Sequence, residues 1–226
     1  MSADKRRRAD SEGGYRRFRK EMQALGVPVS RETEAALQAM VTTLERWQRA
    51  INLISRATVD DIWTRHILDS AQLIPLISGE ARSLTDLGSG AGFPGLVLAA
   101  FLPDFDITLV ESDARKGAYL AEAARQMGVT GNLRVVIGRI EEVQPAKADI
   151  VTARALAPLG QLLALADRHR SDPAICLFHK GKGWRSELTE AHKDWEIEAQ
   201  PFPSVTDRDA VLLRLAAYRA KDLRDR

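Results

Sequence analysis

The chain has 226 residues, 45% of them hydrophobic and 28% charged, which is enough for one core able to enclose a ligand and excludes disorder along the whole length. Lys and Arg number 33 against 31 Asp and Glu, but residues 1–31 carry a net charge of +5 and the remainder −3. A weakly acidic body with a basic front end excludes a uniform coat of phosphate contacts as the main function.

Residues 1–14 are charge, Gly and Ser without apolar periodicity and predict a flexible basic arm, with structure beginning near Tyr15. From Ser30, a good N-cap residue, Leu37, Met40, Val41, Leu44, Trp47 and Ile51 recur at three- and four-residue intervals and predict one face of a long helix. A second helical stripe runs through Ile62, His66, Leu73 and Ile77 and ends near Pro75. Residues 15–81 therefore predict a helical cap. After Arg82 the pattern alternates between strands and helices. Strands are expected at Ser83–Leu87, Ile107–Val110, Arg134–Ile137, Asp149–Thr152, Ala174–Phe178, Trp195–Ala199 and Val211–Ala216, and helices at Gly95–Phe101, Ala114–Met127, Leu159–Arg168 and Arg185–Asp194. This is an α/β pattern. The last two strands are joined by a loop without a helix, so residues 82–220 predict a seven-stranded, mostly parallel, doubly wound sheet whose last strand is antiparallel. Residues 221–226 are left as a tail.

The longest apolar run, Leu96–Leu102, is too short to span a bilayer, and no apolar export segment follows the basic front; the expectation is a cytoplasmic protein. A single cysteine, Cys176, excludes an internal disulfide and a multi-cysteine metal site, and the four histidines lack metal-ligand spacing, so no metal is expected.

The most informative stretch is Asp86-Leu87-Gly88-Ser89-Gly90-Ala91-Gly92-Phe93-Pro94-Gly95, where the first strand meets its helix. Its glycines allow a tight turn and close approach to a ligand. A dinucleotide loop would place its third glycine where Phe93 stands, and no Gly-Lys-Ser/Thr ending marks a triphosphate cradle. Glu111 ends the second strand, where a carboxylate accepts hydrogen bonds from both hydroxyls of a ribose. An acid paired with a glycine loop that lacks a pyrophosphate grip points to a nucleoside ligand without phosphates, namely S-adenosylmethionine. Asp86 is placed to offset the ligand's ammonium or sulfonium charge, Phe93 to supply apolar contact, and Ile140 and Glu141, after the third strand, to edge the adenine.

After the fourth strand, Thr152-Ala153-Arg154-Ala155-Leu156-Ala157-Pro158 occupies the acceptor rim. The Asp/Asn-Pro-Pro-aromatic signature of exocyclic amine methylation is missing there. Cys176, inside an apolar strand, reads as a core thiol rather than as the nucleophile of pyrimidine carbon methylation. Transfer to a ring nitrogen such as guanine N7 fits what is left, because that atom has a free lone pair and no proton to remove; catalysis is then positioning. Arg154 is a candidate to fork onto guanine O6 or phosphate, with a rim salt bridge as the alternative.

Asn52-Leu53-Ile54-Ser55, Arg65-His66-Ile67-Leu68-Asp69-Ser70, the glycine loop, Arg154-Ala155-Leu156-Ala157 and Lys180-Gly181, in this order, resemble the bacterial small-subunit ribosomal RNA (guanine-N7)-methyltransferases, the glucose-inhibited division protein B family. The resemblance covers about residues 15 to 218. It implies a class I methyltransferase fold with a helical cap, S-adenosylmethionine as donor, and N7 of one guanine in a 16S rRNA loop as acceptor, on free RNA or in the small ribosomal subunit. By similarity, cofactor contacts fall on Gly88, Phe93, Ile140, Glu141 and Arg154, joining Asp86, Gly90 and Glu111 from the residues themselves. Arg154, Lys180, His66 and Asp69 are the expected catalytic set, Lys180 meeting RNA phosphate or the base. The chain departs from many relatives at Ile54, at His179 and in its arm. A small-molecule methyltransferase and a non-catalytic nucleoside- or RNA-binding module are the competing readings; a monomer is the default, with no membrane partner. The arm is read as a phosphate tether.

Overall fold

The structure, a computed structural model, describes residues 3–77 and 79–221, and for residues 3–11 the backbone alone. Two long helices open the chain, α1 (Ala3–Ala24) and α2 (Arg31–Trp47). α1 starts well before Tyr15, so the expected arm is helical from Ala3. Ala, Arg, Lys and Glu extend a helix once its later turns are docked, although the early turns carry no apolar face to announce it. The docked part is apolar: Phe18 and Met22 are fully buried, and Trp63 receives Tyr15 edge-on at 5.0 Å and Phe18 at 5.5 Å. Ser30 caps α2 by accepting the Thr33 N–H at 3.1 Å, and Glu32 and Glu34 complement the positive end of the helix dipole. α2 stops at Trp47 rather than reaching Ile51. The Gln48 side chain takes over the chain's hydrogen bonding, accepting from the Leu53 and Ile54 amides and donating to the Ile54 carbonyl.

The second predicted helix is broken into pieces. A 3₁₀ turn at Arg56–Asp61 leads into a π-helix at Trp63–Leu68, one turn of α-helix, α3 (Asp69–Ala71), and a further 3₁₀ turn at Ile74–Leu76 containing Pro75. Five of the six π-helical residues are buried, and such widened turns are concentrated at functional sites.

The remaining helices are α4 (Gly95–Phe101), α5 (Ala114–Met127), α6 (Leu159–His169) and α7 (Trp184–Ala191). They cover a sheet of β1 (Ser83–Leu87), β2 (Asp106–Glu111), β3 (Leu133–Ile137), β4 (Ala148–Arg154), β5 (Arg170–Lys180), β6 (Trp195–Pro203) and β7 (Val211–Ala220), in the order β3-β2-β1-β4-β5-β7-β6. Pairing is parallel from β3 to β5, and β7 is antiparallel to both β5 and β6, as the loop-only connection predicted. Of the tail only Lys221 is described, its amide held by the Asp194 carbonyl at 2.9 Å; residues 222–226 lie outside the described residues.

One apolar cluster joins Phe18, Leu37, Met40 and Leu44 of the cap to Leu84 and Leu109 of the sheet and Leu120 of α5, so residue 82 separates two patterns but not two cores. A second cluster, with Leu163, Phe178 and Leu213, fills the α6–α7 face. Phe18→Ala removes a fully buried ring and is expected to lower unfolding stability by about 3–5 kcal/mol; urea denaturation followed by circular dichroism checks it, and an unchanged midpoint would mean that α1 is not part of the core.

Candidate active site

Strand order reverses between β1 and β4, and the loops beyond the strand ends open there into a cleft of about 890 Å³. On one side lies the glycine loop, with Gly88 at φ 67° and a built Cβ there reaching Leu156 Cδ1 at 2.7 Å. A side chain at Gly88 would therefore be strained by the positive φ and would have to displace the tip of Leu156. Glu111, 6% exposed, holds the loop with one oxygen and its own strand end with the other, accepting from the Gly90 and Asp113 amides at 2.8 Å each. Ile140 and Glu141 line the same half.

Asp86 is not beside the ligand space. It lies fully buried under the loop and does not line the cleft, accepting from Thr152 Oγ1 at 2.8 Å and the Gly95 amide at 3.2 Å. Burial pushes its carboxyl up to about 6, against those hydrogen bonds. The expected direct charge offset is replaced by a strut between β1, β4 and the start of α4.

The other half is built by Arg154 from β4, Lys180 from β5, and His66 and Asp69 from the cap. Arg154 donates to Asp69 Oδ2 and the Arg65 carbonyl at 3.2 Å, donates to His66 Nδ1 at 2.9 Å, and lies 5.0 Å from the Phe93 ring centre. His66 stacks on the same ring at 4.9 Å. Because a guanidinium only donates, His66 Nδ1 is the lone-pair nitrogen, and Nε2–H donates to Thr58 Oγ1 at 2.9 Å, whose hydroxyl in turn donates to the Ser55 carbonyl at 3.0 Å. Burial, and then the Arg154 charge, push the imidazole down to about 3, so it is neutral at pH 7.

Asp69 is the hub. Besides Arg154 it accepts from Thr206 Oγ1 at 2.6 Å and Gln72 Nε2 at 3.0 Å, while its carbonyl accepts from His179 Nε2 at 2.7 Å. Burial opposes its ionisation, but the contacts with His179, Thr206 and Arg154 outweigh it and hold the carboxyl below the usual range. Lys180, expected to meet RNA phosphate or the base, lines the cleft but is held by protein partners. It is 7% exposed and donates at 2.8 Å to both Glu187 Oε2 and the Ala157 carbonyl, fixing the rim loop in which Ala155 adopts φ 52°.

Ten of the eleven predicted site residues thus line one cleft, all but Asp86. The sequence reading missed Thr58, Gln72, His179 as a site residue, and Thr206. His179 is signalled only by its place at the end of β5, beside Lys180, and Thr206 by the loop it sits in; Gln72 and Thr58 carry no motif.

Residues 33–210 match the family model described as GidB, rRNA small subunit methyltransferase G. The proteins named Ribosomal RNA small subunit methyltransferase G from Cereibacter sphaeroides and Paramagnetospirillum magneticum are 48% and 53% identical, over 84% and 83% of this chain and 93% and 90% of theirs. Among solved structures, a putative O-methyltransferase from Klebsiella pneumoniae aligns with a TM-score of 0.56 at 14% identity over 91% of this chain and 98% of its own, and M. jannaschii TYW2 in complex with AdoMet with 0.52 at 13% over 77% and 80%. These likenesses place the fold among class I methyltransferases.

The neutral His66 sets a pH prediction. The folded state excludes a proton that the unfolded ring binds below about pH 6.5, so this group makes stability rise with pH from about 3 to 6.5. Long-range nitrogen–proton NMR spectra are expected to show His66 as the Nε2–H tautomer with no titration between about pH 8 and 5; a midpoint inside that window would break the Arg154–His66–Thr58 chain as drawn.

Proposed function

The chain belongs to the rRNA small subunit methyltransferase G family, and on that footing we propose that it transfers the methyl group of S-adenosylmethionine to N7 of one guanine in 16S rRNA. The observation that carries this reading is the convergence of the β1, β2, β3, β4 and β5 ends and the cap on one cleft of a size suited to a nucleoside ligand. Glu111 would take the ribose hydroxyls, the backbone around Gly88 and Gly90 would let the ligand lie close, Ile140 and Glu141 would edge the adenine, and Phe93 would pack beside the reacting centre. The donor supplies an electrophilic methyl on a sulfonium, whose bond to sulfur breaks as the N7 lone pair forms the new one.

Three features of the acceptor half support a ring nitrogen. Asp69 is committed to Arg154, Thr206 and Gln72, so its carboxylate is not placed as a proton acceptor. His66 Nδ1 is taken up by Arg154. Cys176 is fully buried with its thiol pushed up to about 12 by burial, 3.8 Å from the Tyr218 hydroxyl, which supports its exclusion as a nucleophile. A site without a free base or thiolate suits a reaction that needs neither, and its work is then orientation. A neutral His66 and an Asp69-balanced Arg154 also avoid adding uncompensated positive charge beside a sulfonium. Among the described residues no helix is long and apolar enough to cross a membrane, and the reading includes a cytoplasmic, monomeric enzyme.

Incubation of the purified chain with labelled S-adenosylmethionine and small subunits, or their free RNA, from cells lacking the gene tests it. Label is expected in 16S rRNA as 7-methylguanine in the nuclease digest. Label in another base or in no RNA would overturn the N7 assignment or the RNA assignment respectively. Glu111→Ala is expected to weaken donor binding by about 1.5–3 kcal/mol, ten- to more than a hundredfold in Kd; unchanged titration heats with an intact circular dichroism spectrum would remove Glu111 from the ribose.

A further inference from the structure

We propose that α1 is an RNA-docking helix that grips phosphates flanking the acceptor base, an inference that rests on the rRNA reading above. Three cations that line the acceptor half are paired within the protein: Arg154 with Asp69 at 3.2 Å, Lys180 with Glu187 at 2.8 Å and the half-exposed Arg65 with Asp207 at 3.7 Å. Beyond residue 31 the chain is net negative, whereas α1 holds eight cations against four acids. A polyanion held at this cleft therefore meets its compensating charge on α1.

Placement agrees with charge. Arg17 donates to the Val205 carbonyl at 3.0 Å, and the neighbours of Val205, Ser204 and Thr206, line the cleft. Gly13, Gly14 and Arg17 share a surface hollow with Ala57, Asp60, Asp61 and Thr64, of which Ala57 and Thr64 are next in sequence to the cleft-lining Thr58 and Arg65; the two carboxylates make the hollow itself a contact between α1 and the cap rather than a phosphate site, and leave the grip to the cations further along α1. A built Cβ at Gly14 comes within 3.2 Å of Trp63 Cβ, so glycine lets the helix cross this close to the rim despite its cost in a helix interior. From Gly14 back to Ala3 the helix continues for roughly 16 Å at 1.5 Å per residue, a stretch whose sequence includes Lys5, Arg6, Arg7 and Arg8. Lys20, on the docked half, is exposed and has no partner among the described residues. The flexible tether expected from composition becomes a helix aimed by its own docking.

The test uses the full chain with Arg6→Gln, Arg7→Gln and Arg8→Gln together, against a control with Arg134→Gln, Lys147→Gln and Lys193→Gln, three cations at the opposite ends of the strands. Binding to 16S rRNA is measured by fluorescence anisotropy across a salt series. The α1 variant is expected to bind about tenfold or more weakly near physiological salt, with a log–log salt slope shallower by up to about 0.7–0.9 for each phosphate no longer neutralised, while donor Kd and kcat at saturating RNA stay unchanged. Unchanged affinity and slope, or an equal weakening in the control, would overturn the proposal. Absence of methyl transfer by the wild-type chain would instead strike the rRNA reading, since the binding comparison is read without turnover.

Discussion

Three parts of the chain that fold from different sequence patterns meet at Asp69: the cap that carries it, the β4 and β5 ends that present Arg154 to its carboxylate and His179 to its carbonyl, and the β6–β7 loop that presents Thr206. An ionised carboxylate removed from water is costly unless its oxygens are matched by donors, and here Arg154, Thr206 and Gln72 match them. The arrangement of the rest of the cleft follows. With Arg154 drawn to Asp69, its remaining N–H reaches His66, its plane lies near Phe93, and His66 is left as a neutral stacking partner. Removing one member would strand charge in a buried site rather than merely delete a hydrogen bond.

The charges around the cleft are paired in place by acids from separate elements, Glu187 of α7 for Lys180 and Asp207 of the β6–β7 loop for Arg65. A site so compensated is suited to a cationic donor and a base whose methylation itself creates positive charge. The same compensation makes these pairs poor at holding a long polyanion, in keeping with the docking role proposed for α1.

The sheet and its helices were legible to within a few residues because alternating strand and helix periods repeat through residues 82–220, and the glycine loop was legible because its turn takes positive φ at Gly88, Gly90 and Gly92. Other features were not. α1 begins at Ala3 in a stretch with no apolar stripe, where helix propensity acts without a face to betray it. The π-helix widens its turns because Trp63, Thr64, His66, Ile67 and Leu68 are all buried, a demand of packing on both sides. Asp86 and Lys180 stand out in the sequence, but their partners do not: whether a charge faces solvent, ligand or protein depends on groups such as Thr152 and Glu187 that arrive from distant segments. Gln72 bonding to Ser204, 132 positions away, leaves no trace in local pattern.

The placement of β7 between β5 and β6 turns both ends of the β6–β7 loop toward the cleft, so that a hairpin tip supplies what a strand-to-helix loop supplies elsewhere in the sheet. The consequence concerns the order of events during synthesis. Chains emerge from the N-terminus, and the cap, glycine loop and Arg154 are all made long before Thr206 and β7. Until Thr206 and β7 have appeared, Asp69 lacks one of its donors and β5 one of its neighbours. The active cleft is therefore a late product of translation, completed from the tail end of the chain although most of its residues come from the front and middle.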